Sequence, residues 1–86
     1  MYENINEQVS VLVVFGQGPH KVRPFRVRWH DKDYTITHVD YQYKYRAGRS
    51  MIHVFSATDG TIYFELQYDS ENLKWILGRV SDGEAS

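Results

Sequence analysis

Apolar and polar residues alternate along most of this chain with a period of two, the spacing that sends successive side chains to opposite faces of an extended strand. Val, Ile, Thr, Tyr, Phe and Trp recur in short runs, as strands require. Between the runs stand Gln17-Gly18-Pro19, Asp31-Lys32, Ala47-Gly48, Asp59-Gly60 and Asp69-Ser70-Glu71-Asn72, all of turn-forming composition. The pattern predicts six strands: Gln8 to Phe15, Phe25 to His30, Tyr34 to Tyr45, Ser50 to Ala57, Thr61 to Tyr68 and Lys74 to Val80. No window sustains apolar residues at i, i+3 and i+4 between capping residues, so no helix is expected.

Turn chemistry sets the expected registers. An Asp-Gly pair between strands suits a type I′ turn, in which both central residues take positive φ, so Asp59-Gly60 predicts a tight hairpin. Counting back from it pairs Ala57 with Ile62, Phe55 with Phe64, His53 with Leu66 and Met51 with Tyr68 on an inner face. Ile52, Val54 and Ser56 then face outward beside Gln67, Glu65 and Tyr63, a strip less polar than a solvated face. Reading Asp31-Lys32 as a two-residue loop sets Trp29 against Tyr34, pairs Val27 with Ile36 and Phe25 with His38 inside, and turns Arg26 and Arg28 outward. The third strand changes phase, with large side chains at Tyr34 and Ile36 and then at Val39, Tyr41, Tyr43 and Tyr45. A bulge near Thr37-His38 reconciles the two sets and lets one bent strand serve two sheets. These elements predict an all-β, six-stranded antiparallel meander forming a small, partly open SH3-like barrel or a strongly coiled sheet. Its expected core is Trp29, Tyr34, Ile36, Phe55, Phe64, Leu66, Trp75 and Leu77.

At 86 residues the chain makes one β-domain over residues 1–86, with 1–7 and 82–86 expected as flexible termini. A domain of this size buries only about 60% of its unfolded surface, so its large aromatics must supply most of the core. The absence of cysteine rules out a disulfide, a thiolate nucleophile and a thiolate metal site, and fits a cytoplasmic location. The longest apolar run, Val11 to Phe15, is far too short to span a membrane, and Glu3 and Glu7 stand where a signal peptide carries cations. The net charge of -1 hides an uneven distribution: His20 to Arg49 holds eight Lys and Arg against three Asp, while the rest of the chain is acidic. Such asymmetry marks either an anionic partner or a solvated surface.

The segment FRVRWHDKDYTITHV, Phe25 to Val39, followed by IYFELQYDSENLKWIL, resembles a small bacterial β-domain family with the pattern Phe-x-Trp-x-Gly-x-x-Tyr-x-Val, a Tyr-x-Leu strand and a tryptophan strand. Trp29, Tyr34, Ile36, Leu66, Trp75 and Leu77 carry the match, and Asp31 stands where the pattern has its turn glycine. The matched residues are aromatic and aliphatic, so the resemblance implies a fold. It implies no activity, since the family has none assigned.

Candidate chemistry is sparse. His20, His30, His38 and His53 with Asp31, Asp33 and Asp40 lack the spacing of a metal site, and no serine lies in a nucleophile signature. Gly16-Gln17-Gly18-Pro19 reads as a turn, because no Lys-Ser/Thr ending follows it and no helix is at hand to hold a phosphate. No catalytic residue, metal or cofactor is therefore expected. Tyr41, Tyr43 and Tyr45, interleaved with Gln42, Lys44 and Arg46, are either core or a base-stacking platform. Two functional expectations follow. One is a protein-interaction or homodimerising barrel using Ile52, Val54 and Tyr63, with a protein partner or itself in a weak homodimer. The other is a single-stranded nucleic-acid-binding barrel using Arg26, Arg28, Lys44, Arg46 and Arg49. An isoelectric point near 6.4 favours the first.

Overall fold

The computed structural model describes residues 2–16 and 22–82, so the expected turn at Gln17-Gly18-Pro19 lies outside the described residues. Seven strands form one antiparallel sheet: β1 (Tyr2–Phe15), β2 (Val22–Trp29), β3 (Lys32–Thr35), β4 (His38–Ala47), β5 (Ser50–Thr58), β6 (Tyr63–Asp69) and β7 (Lys74–Ser81). Their order across the sheet is β3-β2-β1-β7-β6-β5-β4. The expected six strands become seven because the long third one is broken at Ile36-Thr37 into β3 and β4, which end up on opposite edges.

That break dictates the shape. Laid flat, the sheet would hold its edges six strand spacings apart, roughly 29 Å. Only Ile36 and Thr37 join those edges, and three peptide steps reach at most about 11 Å. The sheet must therefore coil until its edges approach. Backbone hydrogen bonds fix the junction: Ile36 N–H donates to the Phe25 carbonyl on β2, and Thr37 N–H to the Thr58 carbonyl on β5, each at 2.8 Å. No β3–β4 ladder closes the ring, so the sheet stays open at this seam.

The strand that serves both halves of the coil is β1. Its first part, expected as a flexible terminus, pairs with β7 from Tyr2↔Ser81 to Val9↔Trp75, and its second part pairs with β2 from Ser10↔Arg28 to Phe15↔Val22. The β1–β7 register shifts between Asn4 and Glu7, with Asn6 at φ 54°, and the change of partner comes between Val9 and Ser10.

Both predicted hairpin registers are offset by two residues. His30 (φ 53°) and Asp31 (φ 62°) form the β2–β3 turn with two successive positive φ values, so Trp29 pairs with Lys32 and Val27 with Tyr34. At the β5–β6 loop only Gly60 takes positive φ. There the Asp59 carboxylate accepts the N–H groups of Thr61 and Ile62 at 2.8 Å, while the Thr58 hydroxyl accepts from Gly60 N–H and donates to the Ile62 carbonyl. The loop thus takes in Thr61 and Ile62, and Phe55 pairs with Leu66 and Ala57 with Phe64. Because side chains alternate with a period of two, an offset of two keeps the paired residues of both hairpins on their expected faces. Phe25 and His38, expected to pair inside, do not, since Phe25 is the unpaired, exposed residue of a β2 bulge and His38 is exposed opposite Thr58.

The core consists of Val9, Val27, Ile36, Phe55, Ala57, Phe64, Leu66 and Leu77. Trp29, Tyr34, Tyr68 and Trp75 close its ends half-buried, and Tyr34 meets Phe64 edge-on at 5.3 Å.

Candidate protein-interaction surface

Along β4 the side chains are phased by one residue. Val39 pairs with Ala57 on the inner face, and a register shift then makes Asp40 the extra residue before Tyr41↔Ser56. The bulge sits at Asp40, beyond the expected Thr37-His38, and its effect is the reverse of the core reading: Tyr41, Tyr43 and Tyr45 point outward. They are 63%, 45% and 44% exposed and form a continuous ladder, with ring centroids 5.4 Å apart for Tyr41–Tyr43 and 6.4 Å for Tyr43–Tyr45.

This ladder revises the expected interface. Tyr43 and Tyr45 stand opposite Val54 and Ile52, which are only 3% and 9% exposed, and Tyr63 is half-buried at the β5–β6 turn. Ile52 and Val54 do face outward, but neighbouring side chains cover them, so they are no open apolar strip. The exposed apolar surface here is the tyrosine layer beside them.

Beside β5 the outer face carries a polar cluster that is neutralised within the chain. Arg79 on β7 donates to Glu65 on β6 through Nε (3.1 Å) and a terminal nitrogen (2.6 Å), and its guanidinium lies 4.5 Å from the Tyr2 ring. The hydrogen bond and charge of Glu65 hold the Arg79 pKa above its ordinary value. The Gln67 amide donates to the other Glu65 oxygen at 3.3 Å. These side chains lie over Gly78, the unpaired residue of the β7 bulge, where an added Cβ would meet Gln67 Nε2 at 2.8 Å and Glu65 Oε1 at 3.0 Å.

The predicted cations fall into two separate groups. Lys44 and Arg46 lie on β4 in the phase opposite the tyrosines, paired with His53 and Met51, and Arg49 follows in the turn to β5. All three are exposed, and among the described residues none makes an ion pair. Arg26 and Arg28 lie on β2, five places away in sheet order. There Arg28 pairs with Asp33 at 3.0 Å and Arg26 lies 5.6 Å from the Phe25 ring, while Ser10, Leu12 and Asp33 line a shallow depression with them. Lys44 and Arg46 thus project to the face opposite the tyrosines, and Arg28 is engaged by Asp33.

The described histidines are equally dispersed, and His20 lies outside the described residues. His30 and the Trp29 indole N–H both bond Glu7, at 3.1 and 3.3 Å, which ties the β2–β3 turn to β1. His38 sits 3.0 Å from Asp40, and His53 lies half-buried near Tyr68. Among the described residues no three His, Asp or Glu side chains are grouped to hold a metal ion.

A second feature adjoins the ladder. β3 pairs only with Arg26 to Trp29, so the start of β2 faces the seam, and a cleft of about 370 Å³ opens between Val22 and Arg23 on one side and His38 to Gln42 on the other. Arg23 reaches across the junction to the Thr37 carbonyl at 3.4 Å. The sequence carried no signal for this cleft, because it depends on which strands become edges. No family model matches the chain, and no curated protein and no solved structure matches it either.

Proposed function

We propose that this chain is a protein-interaction module that receives an extended segment of a partner protein along the free edge of β4. The carrying observation is the exposed tyrosine ladder on a ten-residue edge strand. An edge strand presents a row of unpaired N–H and C=O groups, a template for strand addition. Natural sheets blunt such edges, and here the bulge at Asp40 and the cations Lys44 and Arg46 do so only in part. Tyrosine suits a docking surface, since it offers a large amphipathic contact area at low conformational cost. In this reading the coiled sheet is a partly open barrel of SH3-like type, and its open seam is the receptor.

The arrangement supports single-stranded nucleic acid less well. Such binding needs cations tracking phosphates beside the stacked bases. Lys44 and Arg46 lie on the opposite face of β4 from the tyrosines, and of the cations on the tyrosine side Arg79 is engaged by Glu65 and Arg28 by Asp33. Nuclear magnetic resonance titration of the full chain separates the readings. Extended peptides should shift and protect the β4 backbone amides saturably. Tight low-salt binding of a labelled oligonucleotide, lost on Lys44→Ala with Arg46→Ala while peptides leave β4 unchanged, would overturn the proposal.

A further inference from the structure

We infer that the segment received by β4 alternates acidic with apolar residues at a period of two, and that it comes from a different protein rather than from a second copy of this chain. The inference rests on the strand-addition reading above and adds the chemistry of the partner. A strand laid along β4 sends alternate side chains to the two faces of the sheet. On the outer face they fall beside Tyr41, Tyr43 and Tyr45, where aromatic and β-branched residues make the best cross-strand pairs. On the other face they fall beside Gln42, Lys44 and Arg46, two cations with no ion pair among the described residues. Acidic residues are what those positions accept.

Along His38 to Gln42 the added strand runs into the cleft whose far wall is Val22 and Arg23. Arg23, on the outer face opposite Val14, is a further cation beside that path, its one hydrogen bond here being the long one to the Thr37 carbonyl, and Asp40 lies 3.0 Å from His38. The same cleft disfavours a second copy. In antiparallel self-pairing centred on Tyr43, the partner copy would bring its own β5 into the space that Val22 and Arg23 line. Moving the centre to Tyr45 avoids that wall, but it sets Lys44 opposite Arg46 at two symmetry-related places. Like charges directly opposite are destabilising.

The probes are two capped octapeptides, one alternating Val with Glu and one alternating Val with Lys, titrated into the isotopically labelled full chain. The Glu peptide should bind about tenfold more tightly than the Lys peptide at low salt, because two cross-strand pairs change from attraction to repulsion. It should protect the amides of Tyr41 to Ala47 and shift those of Val22 and Arg23. Lys44→Glu with Arg46→Glu should invert the preference, and Arg23→Ala should weaken only the Glu peptide. If both peptides protect β4 equally, strand addition stands and the acidic partner is refuted. If neither protects β4, strand addition itself fails and the inference falls with it. A Glu preference that survives the double charge reversal would also overturn the inference, by placing the recognition elsewhere.

Discussion

Val54→Thr tests whether the outer face of β5 is covered by its own chain. The two side chains are nearly the same shape, so the substitution leaves packing volume unchanged and adds one hydroxyl. In the structure that hydroxyl would arise at a position 3% exposed, between Tyr43 on β4 and Gln67 on β6. The Gln67 amide nitrogen is held by Glu65, which fixes the side chain over Gly78, and β5 is an interior strand whose backbone groups serve two ladders. A buried hydroxyl without a partner costs about 1–3 kcal/mol, a substantial part of the roughly 5–15 kcal/mol typical of a small domain. On an open strip the hydroxyl would be hydrated, and the change would stay within about 0.5 kcal/mol. Urea unfolding followed by Trp29 and Trp75 fluorescence gives the answer. With a slope of about 1 kcal/mol per molar for a chain this small, the midpoint should fall by about 1 M or more. A fall below about 0.3 M with an unchanged slope would refute the covered-strip reasoning. Tyr43→Ser supplies the internal control: once it opens the cover, the further cost of Val54→Thr should shrink, a coupling expected only between residues in contact.

Two other predictions test the core and a loop. Phe64→Ala, at a side chain 1% exposed and touched edge-on by Tyr34, should cost about 3–5 kcal/mol and leave the variant barely folded, as circular dichroism on thermal unfolding would show. Asp69 should titrate below the usual carboxylate range, because the Asn72 side chain and the N–H groups of Asn72 and Glu71 donate to it. With the folded pKa below the unfolded one, whatever stability this loop cap contributes is present at neutral pH and is lost as pH falls through the folded value. Asn72→Ala should raise that pKa in a carboxyl carbon titration, and an unmoved titration curve would contradict the assignment.

The faces of the strands were legible in the sequence because they depend only on the period of two. Phe55, Ala57, Phe64 and Leu66 share the buried face as alternation requires, even though both hairpin registers are offset. The registers themselves were less legible, because turn composition competes with side-chain capping. Asp59-Gly60 has the composition of a two-residue turn, yet the Asp59 carboxylate and Thr58 hydroxyl stabilise a longer loop, while His30-Asp31 adopts the positive φ pair with no glycine at all. The tyrosine surface turned on a single residue. With Asp40 in the ladder, Tyr41 would continue the phase of Val39 into the interior, and with Asp40 bulged it faces water. Nothing local to the sequence decides between them. The choice is made by the pairing with β5, which matches Tyr43 to Val54 and leaves Gln42 to meet Phe55.

On the strand-addition proposal, the edge of β4 must accept its partner without also joining to copies of itself, and Lys44 and Arg46 would serve both requirements. Their positions matter more than their number. In the two-fold register centred on Tyr45, which keeps clear of the cleft wall, residue 44 of each copy faces residue 46 of the other. Two Lys–Arg oppositions result, each unfavourable by a few tenths to about 1 kcal/mol on the scale of cross-strand pairs. An acidic partner strand meets the same two side chains with the sign reversed. Lys44→Glu should therefore convert the guard into an attraction, because the new carboxylate at 44 would face Arg46 in both halves of the pair while Tyr45 meets its own copy. Sedimentation equilibrium should find the natural chain monomeric and the Lys44→Glu variant associating reversibly, with the association weakening as salt screens the exposed pairs. Adding Arg46→Glu restores like charge at both places and should return the variant to monomer. If the single and double variants behave alike, or if the natural chain itself dimerises, the edge of β4 is not guarded by these cations and the account of how it selects an acidic partner is wrong.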